Sequence, residues 1–426
     1  MILKLNLEKR SARLGVLLAG LTICALAVGW AASQFVVATF ADSRLNIGRE
    51  YLAAASDYFP NSARLHARAA AAEAASSSGN LKAAEAHALE AVRLSPYNFD
   101  YRRILASIKE ARGRGGEAED ALRAALALAP NDCDTHWRLA NLLLRERRLK
   151  EALDEFRVAA TGNPANLHAT LELVWRASGG TVEAVDFVTA RTPEARFTLA
   201  RFLLKQRRAT DAVEVVGQID KDALARLAAL PAFLDELIRA DQPVAARDLW
   251  IGIVEGERVA DRVIYNGGFE TERRKDFTQF DWVISQSEFA RVSIESREAH
   301  TGSRSLRVAF AGRDTTRLDG EIKQTILLAE GARYRLRLFI KADGLETPSG
   351  PRIAVTDAAT SSVIASSEPF RAGSYDWQPL TIEFDVPRAR TRYAAAYVTV
   401  QRKPQFAYDE PTRGTVWLDD FTLDRL

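Results

Sequence analysis

At 426 residues the chain is too long for one ordinary core, which predicts two or more domains. Its 58 Lys and Arg against 56 Asp and Glu leave a net charge of +2, which gives no footprint for nucleic acid. Only two cysteines occur, Cys24 and Cys133, the first inside an apolar run, so neither a disulfide framework nor a cysteine metal site is expected. Five scattered histidines (His66, His87, His136, His168, His300) show no HxxxH or HExxH spacing, which disfavours a transition-metal enzyme.

Leu14 to Phe40 is a 27-residue run without a charge. About 20 apolar residues cross the hydrocarbon layer, so the run predicts a transmembrane helix over 14–40. Lys4, Lys9, Arg10 and Arg13 precede it, while Asp42 and Arg44 follow. That asymmetry places residues 1–13 in the cytoplasm and the bulk of the chain across the membrane. The competing reading is a cleaved signal peptide, whose apolar region would run about 7–15 residues. This run is longer, so an uncleaved anchor is expected.

From 44 to 256 the pattern is helical, with apolar residues three and four apart. Pro96, Pro130 and Pro164 recur every 34 residues, and the same residue types return at fixed distances before each. Five before stand Ala91, Ala125 and Ala159; twelve before, Ala84, Ala118 and Ala152; twenty-four before, Ala72, Ala106 and Ala140. Eight before stand Ala88, Leu122 and Phe156. Pro60, 36 residues before Pro96, fits the frame with a two-residue insertion in "SSSGN" (76–80). The register resembles the tetratricopeptide repeat, a helix–turn–helix unit, with Trp137 one place off its usual aromatic position. Phe197 to Ile219 and Phe233 to Ile253 read as further, divergent hairpins. The resemblance implies an α-solenoid whose concave face binds a protein partner; a plain spacer is the alternative. The runs "RGRGG" (112–116) and "RERR" (145–148) read as solvated turns rather than contact patches.

From Asn266 onward the period drops to two. Leu306, Val308 and Phe310 share one face of a strand, as do Tyr334, Leu336, Leu338 and Ile340. About ten short strands broken by Gly, Pro, Asp and Ser predict a β-sandwich of jelly-roll type. The segments "NGGFE" (266–270), "FDW" (280–282), "AHTGSRSLRV" (299–308), "YRLRLFIKA" (334–342), "YDWQPLTIEFDV" (375–386) and "GTVWLDDFTL" (414–423) stand in one order. Over 261–426 they resemble carbohydrate-binding modules of the family 4/9 type. "VIYNGGFE" (263–270) would then be the first strand and turn, with glycines permitting the turn and Phe269 plugging the sandwich.

The resemblance also implies a structural calcium where the first and last strands meet. Its ligands would be Glu270, Asp419 and Asp420, with carbonyls near Gly268 and from the loop 301–303. The alternative is an aspartate that only caps a turn. For glycan contact, alternation turns Phe339, Arg335 and Arg337 away from the core, and likewise Tyr393, Tyr397 and Gln401. If the two strands share a sheet, an aromatic and arginine surface results, suited to an acidic or heavily hydroxylated polymer. Trp282 and Trp377 fall where the family has packing aromatics.

The expected protein is thus multidomain α + β, with one transmembrane helix, an α-solenoid and a C-terminal jelly roll. No nucleophile elbow, phosphate loop or dinucleotide fingerprint occurs, so it is expected to be non-catalytic. The expected role is a scaffold anchored in a bacterial inner membrane and facing the periplasm. It would bind a protein on the repeats and a polysaccharide on the jelly roll, in cell-surface polysaccharide biosynthesis or export. The rivals are a purely protein-interacting assembly factor, with the jelly roll as a cap, and a glycan-modifying enzyme with paired carboxylates.

Overall fold

The uncharged run folds as one continuous helix, α1 (Arg10–Ala41), long and apolar enough to be a membrane span or a signal sequence. In the computed structural model, the described residues are 10–42, 45, 47–76, 79–254, 264–272, 277–313, 315–388, 393–404 and 411–426. Two units result, Met1–Ala190 and Arg191–Leu426.

In the first unit α2 (Arg49–Tyr58) is followed by four hairpins. They are α3 (Ala63–Ala75) with α4 (Leu81–Leu94), α5 (Phe99–Ala111) with α6 (Gly115–Leu128), α7 (Cys133–Arg145) with α8 (Leu149–Gly162), and α9 (Leu167–Ala177) with α10 (Val182–Val188). The prolines act as expected: α4, α6 and α8 each stop two residues before Pro96, Pro130 and Pro164. Starts are set by side chains of Ser62, Asn80, Asn98 and Asp132, which accept from backbone N–H groups of the first turn. Ala84, Ala118, Ala152, Ala91, Ala125 and Ala159 are all fully buried, so the absence of side-chain bulk lets the helices of each hairpin close on one another.

One residue departs from the expected register. The α3-to-α4 connection spans 76–80 whereas the next two span 112–114 and 146–148, so the two-residue insertion lies in 76–80 as expected. The small residue packed in the first hairpin is therefore Ala70, fully buried beside Ala84 and Ala88, and not Ala72. Two of the five histidines share a repeated position with Arg102. His66 Nε2 lies 3.0 Å from the Pro60 carbonyl, Arg102 Nη2 donates to the Pro96 carbonyl at 3.0 Å, and His136 Nε2 lies 2.9 Å from the Pro130 carbonyl. Each donor stands six residues after its proline and answers a carbonyl that the ended helix leaves without a partner.

The arginine-rich turns are stapled rather than merely solvated. Arg112 and Arg114 both pair with Glu85 of α4, Arg145 pairs with Glu110, and Arg148 reaches Glu119 at 2.6 Å and Glu151 at 2.6 Å.

The second unit holds two more hairpins, α11 (Pro193–Lys205) with α12 (Ala209–Gly217) and, after the short α13 (Lys221–Ala225), α14 (Leu230–Arg239) with α15 (Pro243–Val254). Both fall where the divergent hairpins are expected. Ten strands follow among the described residues: β1 (Val283–Ile284), β2 (Ala290–Glu295), β3 (Ser305–Ala311), β4 (Leu318–Ala329), β5 (Arg333–Glu346), β6 (Arg352–Asp357), β7 (Val363–Ser366), β8 (Gly373–Asp385), β9 (Tyr393–Arg402) and β10 (Arg413–Arg425). They form two five-stranded antiparallel sheets, in the orders β1-β4-β9-β6-β7 and β2-β3-β10-β5-β8. The predicted inward residues Leu306, Val308, Leu336, Leu338, Ala396, Val398 and Val400 fill one core between them.

The opening segment differs from a strand. Val263 lies outside the described residues, and Tyr265 is held by one side chain instead of a ladder: its N–H donates to Gln324 Oε1 at 3.2 Å and its carbonyl accepts from Gln324 Nε2 at 2.7 Å. Phe269 does plug the sandwich, fully buried against Trp282 and Phe421. The left-handed turn positions are Asn266 (φ 49°) and Phe269 (φ 59°), not the glycines. Gly267 is required for another reason: a Cβ there would lie 2.0 Å from the Phe421 carbonyl oxygen.

The last helix is part of the sandwich's packing. Trp250 of α15 is 1% exposed, donates from Nε1 to the Phe277 carbonyl at 3.1 Å, and packs edge-on against Tyr265 and Phe280. Trp250→Ala is expected to cost about 3–5 kcal/mol, and to lower the urea midpoints of the helical and sheet signals of a 191–426 fragment together. Loss of the helical signal alone would show that hairpin and sandwich unfold separately.

Candidate functional site

The residues expected to bind calcium do meet. A bulge in β10 between Asp419 and Thr422, with Asp420 at φ 50°, turns both aspartates toward the loop 299–304. Asp419 Oδ2 accepts from the His300 N–H at 2.8 Å and the Thr301 N–H at 3.4 Å, and its Oδ1 from the Asp420 N–H at 2.8 Å. Asp420 accepts from Thr301 Oγ1 at 2.7 Å and faces His300 Nδ1 at 2.6 Å. Glu270 Oε1 accepts from the N–H groups of Ser303 and Arg304 at 2.7 and 2.8 Å, and its Oε2 from Ser303 Oγ at 2.8 Å. Gly268 lies beside both aspartates; a Cβ there would be 3.4 Å from Asp420 Oδ1.

Every one of these six carboxylate oxygens thus already accepts a hydrogen bond. The loop presents N–H groups where a hard cation needs oxygen lone pairs, so the residues as arranged do not fit calcium. Among the described residues no group of three His, Cys, Asp or Glu is arranged to hold a metal ion. What the arrangement does instead is tie the opening turn, the loop 299–304 and the last strand together. Burial pushes the Asp419 carboxyl up to about 6 against its N–H donors, with the Asp420 charge adding to the rise. Burial would also raise Glu270, but its bonds from Ser303 and Arg304 outweigh that and hold it below the usual carboxylate range.

The expected glycan surface is split. Phe339, Arg335 and Arg337 lie on β5, whereas Tyr393, Tyr397 and Gln401 lie on β9 in the other sheet, so the two strands form no common face. Alternation reports which way a side chain points but not which sheet carries it. The Tyr393 side chain lies outside the described residues. Tyr397 carries the Lys323 ammonium 4.7 Å above its ring, and Gln401 is buried, donating to Asp319 Oδ1 at 3.1 Å.

On the β5 face the arginines answer carboxylates of neighbouring strands. Arg335 pairs with Glu383 at 2.7 Å and Arg337 with Asp424 at 2.8 Å. One side of Phe339 is taken by His300, stacked 3.6 Å away at 12°. His300 in turn meets Trp377 edge-on at 5.7 Å, so Trp377 is half-buried on the outer face rather than in the core, while Trp282 is fully buried. His300 was not anticipated, because its signal, a histidine in the loop before a strand, has meaning only once Phe339 and Asp420 are known to face it. Trp417 was also missed; it stands half-buried on the same outer face and donates from Nε1 to Glu295.

In the first unit a cleft of about 400 Å³ is lined by Glu110, Asp134, Trp137, Arg138, Asn141 and Arg145. Residues 134, 137, 138, 141 and 145 recur three or four apart and so form one face of α7. Trp137 rests edge-on against Phe156 at 5.2 Å, and Asn141 Nδ2 donates to the Trp137 carbonyl at 2.8 Å. Arg145 is paired with Glu110, and Asp134 with Arg103 at 3.3 Å. Arg138 makes no ion pair among the described residues and is exposed.

No protein-family model matches the chain, and no curated protein does. Among solved structures it is similar to a CBM4 structure, at 17% identity over 38% of this chain and 99% of that one, with a TM-score of 0.28. A family 16 carbohydrate-binding module is 16% identical over 38% of this chain and 99% of that one, at a TM-score of 0.26. The MamA protein is 17% identical over 37% of this chain and 83% of that one, at 0.31. Likeness at that level carries no functional weight.

The Asp419 value sets a test of the junction. A carboxyl raised from an ordinary value near 3.9 costs stability when charged; that cost is absent below about pH 4 and complete above about pH 6. The stability of Asp419→Asn relative to the parent should therefore improve by about 2–3 kcal/mol between pH 4 and pH 7.5, read from urea unfolding, and added calcium should not move the parent's midpoint. A rise in midpoint with calcium would show a cation at the junction instead, and a pH-independent difference would show that burial does not raise the Asp419 carboxyl.

Proposed function

We propose that the protein is a non-catalytic membrane-tethered scaffold whose helical hairpins take a protein segment and whose sandwich contacts glycan. The α7 cleft carries the proposal. It joins an indole, an amide and an unpaired guanidinium on one rigid helix face, beside two ion pairs that hold their charges in place. Large rigid aromatics and arginines flanked by fixed polar groups are what a protein segment uses as anchors. The basic residues before α1 and the length of its apolar run support an uncleaved anchor with the bulk of the chain in the periplasm. A place in making or exporting a cell-surface polysaccharide joins the two binding functions.

The carboxylates support a non-catalytic role. A general acid needs a pKa raised toward neutrality. Glu383, bonded to Arg335 and Arg333, is held below its usual range; of the two carboxyls pushed up by burial among the described residues, Asp419 is fully buried and Asp235 does not line the α7 cleft. One observation favours the purely protein-binding rival: Arg335 and Arg337 are tied to carboxylates of their own sheet and are not free to meet a glycan.

With p-benzoylphenylalanine at Arg138 in cells, irradiation should give one discrete protein adduct. Trp137→Ala should reduce that adduct about tenfold or more. An equal adduct from position 154 on α8, or one indifferent to Trp137, would remove the α7 face as the docking surface.

A further inference from the structure

Beside β2 the sandwich has a second cleft, of about 510 Å³, which neither the tie at the opening turn nor the β5 face uses. It is lined by Thr271, Glu272, Ile294, Glu295, Arg297 and Arg304, together with Ser296. Among the described residues β2 is the edge strand of its sheet and pairs with β3. Neither Arg297 nor Arg304 makes an ion pair among the described residues, although Arg304 lies close enough to Glu270 to help hold that carboxyl down. Glu295 is differently placed: it accepts from Trp417 Nε1 and lies 3.6 Å from Arg307 Nε. The half-exposed Trp417 indole is therefore one hydrogen bond from a lining residue, with its orientation set before any ligand arrives.

We propose that this cleft, with Trp417 bonded to its Glu295, is a saccharide site that takes a neutral glycan. The proposal rests on the reading that the sandwich contacts glycan, and it moves the contact from the expected tyrosines of β9 to the β2 edge. Guanidinium groups only donate and carboxylates only accept, whereas each sugar hydroxyl does both. A lining of two arginines, two glutamates and two hydroxyl residues is thus matched to a polyol. Among the described residues its charges cancel, and a carboxylated sugar would bring its charge against Glu272 and Glu295. The volume falls within the range of about 300–1,000 Å³ usual for ligand clefts. The apolar face of a pyranose has the indole of Trp417 to lie against.

The test uses the full chain in nanodiscs over immobilised dextran, mannan, xylan and polygalacturonate, read by biolayer interferometry. At least one neutral polymer should be retained and polygalacturonate should not. An Arg297→Ala, Arg304→Ala double variant with unchanged thermal transition should bind at least tenfold more weakly, and Glu272→Gln should also weaken binding. Trp417→Phe keeps most of the packing and should weaken binding without unfolding the sandwich. Retention lost in Tyr397→Ala but intact in the arginine variant would overturn this site while leaving glycan binding in place. Preference for polygalacturonate would overturn the neutral ligand. If no polymer is retained while the Arg138 adduct persists, both the site and the glycan half of the scaffold fall, and protein docking alone remains.

Discussion

One indole decides what the C-terminal sandwich is. A two-sheet sandwich has an open end wherever its first strand is short, and here the opening segment forms no ladder at all. Trp250 closes that end from the helical side, filling the space among Tyr265, Phe277 and Phe280 and answering the Phe277 carbonyl. Gln279 adds a second tie by donating to the Pro231 carbonyl at 3.3 Å. Burying a tryptophan so completely removes a large apolar area from water, and cutting the chain after α15 would return it. The last hairpin, α14 with α15, is then packed against the opening segment of the sandwich.

The other end of the opening segment meets the last strand through the packing of Phe269 on Phe421 and through a set of hydrogen bonds. Carboxylates buried without partners would be costly, and a fold can satisfy them with a cation or with donors of its own. This chain uses donors: N–H groups of His300, Thr301, Ser303 and Arg304, hydroxyls of Thr301 and Ser303, and the His300 ring. The same histidine stacks on Phe339, so the tie and the aromatic patch on the outer face share one side chain. Changes to the patch would therefore disturb the tie.

The sequence made local features legible and left spatial ones hidden. Proline spacing located the hairpins because a proline must end a helix, and buried alanines marked where two helices touch. The same count misplaced one residue, Ala72 for Ala70, because the distance of twenty-four was counted back from Pro96 across the two inserted residues. His66, Arg102 and His136 were legible in principle, each six residues after a proline, but their differing chemistry hid the repeat. In the sandwich, alternation sorted inside from outside for β3, β5 and β9 and failed for the pairing of Phe339 with Tyr397. Which strands share a sheet is a property of the whole topology, and no period-two pattern contains it. The β2 cleft was equally hidden, because its lining comes from the opening segment, an edge strand and the loop after it.

Charge cancellation connects the two units without reference to their arrangement. With 58 basic and 56 acidic residues, the chain has nearly one partner for every charge. Within the hairpins arginines are spent on Glu85, Glu110 and Glu119, and within the sandwich on Glu383 and Asp424. A paired guanidinium offers little long-range field. Short-range recognition falls to arginines that make no ion pair among the described residues. Arg138 on α7 and the arginines Arg297 and Arg304 beside β2 are such residues, and each stands in a cleft next to a tryptophan or to a residue that holds one. An indole beside an unpaired guanidinium binds by contact, and contact selects partners by fit rather than by net charge.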